Sequence, residues 1–141
     1  MKNVKWMLPV TLMLLSGVTS AQSLANSTVV AQVPFEFMAN NKIIPAGKCS
    51  VQSADMEAHF LTIRNVAAKT GLFAPSSRGD ARQAASNTVL VFRRYGNQYF
   101  LSEIKIEGSN RTYKLSESRA EAELRAQNAP ASQQSLLASV K

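Results

Sequence analysis

Nucleophilic catalysis needs a Ser, Cys or Thr, a base to take its proton and a third group to orient that base. The chain of 141 residues holds one imidazole, His59, and one thiol, Cys49. His59 falls at the end of an expected strand, in phase with Leu61 and Ile63, where a structural or solvated histidine is the simpler reading. Cys49 stands beside Val51 and reads as a small buried apolar residue, with an intermolecular disulfide as the alternative. Glu36, Glu103 and Glu107 could supply paired carboxylates for acid–base work, but nothing in their spacing demands it. With one Cys and one His there is no intramolecular disulfide and no multi-Cys or multi-His metal site. Gly71 and Gly79 are isolated and open no helix, so they form no phosphate-binding loop. No catalytic residue, metal or cofactor is expected, and the chain reads as a non-enzyme.

One cluster stands out for binding. Phe92-Arg93-Arg94-Tyr95 faces Tyr99-Phe100 across a two-residue turn. Guanidinium groups beside aromatic rings attract anions and stack on sugars or bases, so Arg93, Arg94, Tyr95 and Tyr99 are the candidate ligand-binding residues. Strand alternation would put Arg93 with Tyr95 on one face and Phe92 with Arg94 on the other. The competing reading is that the rings anchor the core while the arginines cover the sheet.

Those residues need strands to hold them. Val29, Ala31, Val33, Phe35 and Phe37 alternate with polar positions, a period of two that marks a strand, and Pro34 argues for an edge position or a bulge. Asn40, Asn41 and Lys42 read as a loop, and Ile44-Pro45-Ala46-Gly47 as a type I turn. Short strands are expected over 48–53, 59–65 and 72–74. Residues 75–87 lack a large apolar side chain and read as a long loop, either mobile or functional. Residues 88–95 and 98–106 flank Gly96-Asn97 and predict a β-hairpin, followed by a strand over 111–115. Ser118 and Glu121 have capping-box spacing, Glu121 and Arg125 stand four apart, and a short helix is expected near 116–127. The Ser- and Gln-rich residues 128–141 read as a flexible tail. The fold class is therefore all-β: a small antiparallel β-sandwich or partly open β-barrel of six to eight strands with one short C-terminal helix, in a single domain over 29–127.

The N-terminus carries an address. Lys2 and Lys5 precede an uncharged, mostly apolar run over residues 6–18. As a helix that run would span roughly 20 Å, short of a bilayer's ~30 Å hydrocarbon core, and it fits a secretory signal peptide over 1–21. Cleavage is expected after Ala21, with Ala25 as the alternative, and residues 22–28 form a polar leader. No Cys follows the apolar run, so no lipid anchor is indicated, and no transmembrane segment is expected in the mature chain. The full chain has 16 Lys plus Arg against 9 Asp plus Glu, a net charge of +7. Losing 21 residues leaves 120, and losing Lys2 and Lys5 leaves 14 bases against 9 acids, or +5. A modest basic excess favours acidic polymers without selecting one, and export argues against nucleic acid as the partner.

Val33-Pro34-Phe35-Glu36-Phe37, Ile44-Pro45-Ala46-Gly47-Lys48, Leu61-Thr62-Ile63-Arg64-Asn65 and the run from Val91 to Leu101 resemble an uncharacterised family of small exported proteins of acidobacteria-like soil bacteria. Leu115-Ser116 and Glu121-Ala122-Glu123-Leu124 resemble that family's C-terminal helix. Where the family pattern has an aromatic and a His, this chain has Cys49 and Arg93, so the resemblance implies no family-wide chemistry at either position. It implies export, to the periplasm or the extracellular space. The expected function is a non-enzymatic envelope or extracellular binding or structural module. A polysaccharide- or peptidoglycan-binding module using the Arg/aromatic hairpin is the alternative, and a small cell-wall hydrolase is the weakest reading. The partners this allows are an acidic polysaccharide or an envelope protein.

Overall fold

A computed structural model describes residues 27–55, 57–127 and 129–141. The expected signal peptide and its cleavage points at Ala21 and Ala25 lie outside the described residues, as does most of the leader. Among the described residues no helix is long and apolar enough to cross a membrane.

The chain is all-β with one short helix, but the described residues form eleven strands, not six to eight. Val29, Ala31 and Val33 alternate inward along β1 (Thr28–Val33), which takes in the last residue of the polar leader. Pro34 has no amide hydrogen to continue the ladder. The chain leaves the strand there and resumes as β2 (Phe37–Ala39). β1 is not an edge strand; it lies between β4 (Gly47–Ser53) and β11 (Ser139–Val140). Asn40 and Asn41, with φ of 46° and 61°, make the tight turn from β2 into β3 (Lys42–Ile44), so Lys42 belongs to a strand. Asparagine tolerates this left-handed region better than other non-glycine residues.

β5 (Phe60–Asn65) pairs with β4 on one side and with β6 (Thr70–Asp80) on the other. β6 corrects the expected loop over 75–87, because residues 75–80 are strand. It pairs with β5 as far as Pro75 and from Ser76 onward with β9 (Arg111–Leu115), carrying the chain from one half of the sheet to the other. Its second half buries no large side chain, so apolar alternation could not reveal it; backbone hydrogen bonds to β9 hold it.

β7 (Val89–Tyr95) and β8 (Gln98–Lys105) form the expected hairpin around Gly96, whose φ is 63°. The register shifts between Val91 and Phe92, skipping Ser102 of β8, so that Leu101 and Ile104, three residues apart, both reach the core. Helix α1 (Arg119–Ala126) starts where the capping residue places it: the Ser118 hydroxyl accepts the Glu121 amide at 3.2 Å. Arg125 pairs with Glu117, not Glu121.

The expected flexible tail over 128–141 is corrected to two further strands. β10 (Ala131–Leu137) pairs with β7 in seven register positions, and β11 pairs with β1. The sheet path runs β10-β7-β8-β9-β6-β5-β4-β1-β11, so its two ends are consecutive strands separated only by Ala138. The C-terminal segment thus brings both edges together. Gln134, Leu136, Ala138 and Val140 are half-buried in alternation, a period of two that serine and glutamine conceal.

The enclosed core includes Phe37, Ile44, Leu61, Ile63, Leu90, Phe92, Ile104 and Ile106. Burying each such side chain contributes roughly 1.5–3 kcal/mol relative to exposure. Phe92 sits edge-on to Phe35 at 5.0 Å and to Phe37 at 5.2 Å, tying the β1–β2 segment to the hairpin.

Candidate functional site

The hairpin brings its four candidate residues together in two pairs on opposite faces. Arg93 and Tyr95 lie on the face away from the core, where Glu121 of α1 reaches both; Tyr95 is buried and Arg93 partly exposed. Arg93 Nη1 donates to Glu121 Oε1 at 3.0 Å, and the Tyr95 hydroxyl donates to the same oxygen at 3.2 Å. Glu121 is only 3% exposed, so its charge is compensated at that buried point. Burial, followed by the Glu121 carboxylate, raises the pKa of Tyr95. The Tyr95 ring meets Phe100 edge-on at 5.6 Å. On the other face Tyr99 stacks on Phe35 at 3.8 Å, and the Arg94 guanidinium lies over the Tyr99 ring at 5.3 Å. Arg94 Nε also donates to the Gly96 carbonyl at 2.6 Å. The ring faces and guanidinium groups that would meet a ligand are engaged within the chain.

The acid–base candidates are equally dispersed. His59 precedes β5 with its side chain 62% exposed, Nδ1 2.9 Å from Asp55 Oδ2 and Nε2 3.2 Å from Glu57 Oε2. Desolvation raises the Asp55 pKa, but hydrogen bonds from the Phe60 amide and His59 outweigh it and leave the carboxyl below its usual range. The nearby hydroxyls point elsewhere: Ser53 donates to the Asp55 carbonyl and Ser76 to the Ala58 carbonyl. Among the described residues His59 pairs with Asp55 and Glu57 and with no serine hydroxyl. Cys49 is buried in β4 between Ala31 and Asn65, and burial pushes its thiol up to about 11. Glu36 sits in the β1–β2 link, Glu103 in β8 opposite Lys114, and Glu107 in the turn after β8. Among the described residues no three His, Cys, Asp or Glu form a metal-binding group.

A second site was hidden in the sequence: the outer face of β4, β5 and β6. Phe60, Thr62 and Arg64 point outward from β5, opposite Pro75, Phe73 and Gly71 of β6. Phe73 is 65% exposed and Phe60 49%, and Val66 is exposed at the rim. An open cleft of about 620 Å³ crosses this face, lined among others by Ser50, Thr62, Arg64, Lys69, Thr70 and Phe73. No acidic residue lines it. Among the described residues neither Arg64 nor Lys69 has an ion-pair partner.

The cleft is braced from behind. Buried Asn65 donates to the carbonyls of Pro45 at 2.8 Å and Ala46 at 3.3 Å, and its Oδ1 accepts the Ala68 amide at 2.9 Å. That fixes the turn carrying Val66 and Lys69. Asn40 Nδ2 and Lys42 Nζ hold the Phe73 and Gly71 carbonyls, so the β2–β3 hairpin secures β6. Gly71 has no side chain to hold Arg64 off; a Cβ there would come within 3.2 Å of Arg64 Cγ. The outward phase of Phe60 and Arg64 beside inward Leu61 and Ile63 was the available sequence signal. Their partnership with β6 was not visible.

No protein-family model, no curated protein and no solved structure matches this chain.

Proposed function

We propose that the chain is an exported, non-enzymatic binding module of the bacterial envelope or extracellular space, engaging its partner through the outer face of β4, β5 and β6. The observation that carries this reading is the unequal covering of the sheet. Glu121 of α1 engages the outward Arg93 and the buried Tyr95 of the hairpin, while Phe73 and Val66 stand exposed along a braced cleft and Phe60 is half-exposed on the same face. Grouped large apolar side chains in solvent mark interaction surfaces. The Lys-flanked apolar run at the N-terminus and the resemblance to exported soil-bacterial proteins support export.

The test uses mature protein, residues 22–141, sedimented with bacterial envelope fractions. Retention is expected for the wild type and is lost in Phe60→Ser/Phe73→Ser with an unchanged melting temperature. Equal retention of both proteins overturns the assignment of the face. Turnover in a broad hydrolase screen, abolished by His59→Ala, overturns the non-enzymatic reading.

A further inference from the structure

We infer that the ligand of the β4–β6 cleft is an anionic polysaccharide, bound by stacking of a sugar ring on Phe73 and pairing of its carboxylate with Arg64. The inference rests on the binding reading above and names its ligand class.

Three properties of the cleft select that chemistry. Its volume of about 620 Å³ lies within the roughly 300–1,000 Å³ of sites that take small ligands or short polymer segments. Phe73 presents an exposed ring from a regular strand, and a pyranose offers a ring-sized apolar C–H face to such a surface. Thr62 lies directly across from Phe73, and Ser50 and Thr70 also line the cleft, adding hydroxyls suited to sugar hydroxyls.

Charge then separates acidic from neutral glycans. Arg64 and Lys69 line the cleft with no acidic residue among its walls and no ion-pair partner among the described residues. The planar guanidinium fork can take a carboxylate with two parallel hydrogen bonds. Arg64 crosses Gly71, the β6 position two residues from Phe73, so cation and ring lie side by side on one face. The carboxylates nearest this face in sequence, Asp55 and Glu57, are already paired with His59.

Native affinity electrophoresis of the mature protein tests this in gels containing polygalacturonate, neutral dextran or poly-L-glutamate, beside the envelope sedimentation assay. Polygalacturonate is expected to retard the wild type, and Phe73→Ala and Arg64→Ala are each expected to weaken that retardation about tenfold. Added salt should reduce it further. Both substitutions lie on exposed positions, and unchanged melting temperatures establish that the variants fold. Equal retardation by poly-L-glutamate, insensitive to Phe73→Ala, overturns the glycan assignment in favour of simple charge attraction. Equal retardation by dextran overturns the anionic class. If no polymer retards the protein while Phe60- and Phe73-dependent envelope retention persists, the ligand class fails and the binding face stands. Loss of both signals brings down both.

Discussion

The carboxylate of Glu121 in α1 lies 3.0 Å from the guanidinium of Arg93 in β7, joining the helix to the hairpin across 28 residues of sequence. Capping-box spacing would turn the Glu121 side chain back toward Ser118. Only half of that motif forms: the Ser118 hydroxyl takes the Glu121 amide, while the acid reaches out to Arg93 and Tyr95.

Removing one partner of this pair costs less than removing the other. Glu121→Ala is expected to destabilise the domain by about 1–2 kcal/mol in urea unfolding, because the buried Tyr95 hydroxyl loses its acceptor while the partly solvated Arg93 can turn to water. Arg93→Met leaves the buried Glu121 carboxylate with the Tyr95 hydroxyl but no cation, so it should cost more, about 2–4 kcal/mol. Arg93→Met/Glu121→Leu should recover much of the loss, and additive losses in the double variant would contradict a coupled pair.

Cys49 makes stability fall in alkali. Its thiol titrates near 9.0 when unconstrained and near 11 in the fold, so above pH 9 the unfolded chain binds fewer protons than the native one. The contribution is fully present below pH 9 and is lost as pH rises through 11. Cys49→Ala should flatten the decline between those values by about 2 kcal/mol, measured as urea midpoints against pH. Thiol-specific reagents at pH 8 should label the wild type only in denaturant.

Asp55 works with the opposite sign. Its lowered pKa means that its contribution is present above the ordinary value of 3.8 and disappears as pH falls through the lower folded value. Asp55→Asn should therefore be less stable than the wild type at neutral pH and show a less steep acid limb below about pH 4, the two proteins converging in strong acid. An identical acid limb in the two proteins would contradict the His59 and Phe60 hydrogen bonds.

The C-terminal strands are structural. Truncation after Pro130 removes seven paired positions from β7 and leaves β1 without its β11 neighbour. Exposed edges of this kind invite intermolecular pairing. The truncated protein should melt at least about 10 °C lower or elute as aggregates in size-exclusion chromatography. An unchanged monomer with an unchanged melting temperature would show that β10 and β11 are dispensable.

Arg94 is the control for the site assignment. It is exposed, and its contacts stay within the hairpin, so Arg94→Ala should change stability by less than about 0.5 kcal/mol and leave polygalacturonate retardation intact. Loss of retardation in this variant would return the binding role to the hairpin.

The amino-acid sequence by itself determined the strands with one buried face. The inward runs Val29-Ala31-Val33, Cys49-Val51 and Leu61-Ile63, the Gly96-Asn97 hairpin and the Ser118 helix cap are all local signals, set by side-chain alternation, turn geometry or capping within a few residues. Tertiary structure decided what depended on distant partners. Pro75 to Asp80 and Ala131 to Leu137 are strands because β9 and β7 satisfy their backbone, without an apolar face to announce it. Tyr95 and Tyr99 read as ligand rings until Glu121 and Phe35 occupied them. The β4–β6 cleft exists because β6 lies beside β5 and places Phe73 next to Thr62 and Gly71 beneath Arg64. A periodic pattern records which way a side chain points, whereas a site requires knowing what stands opposite it.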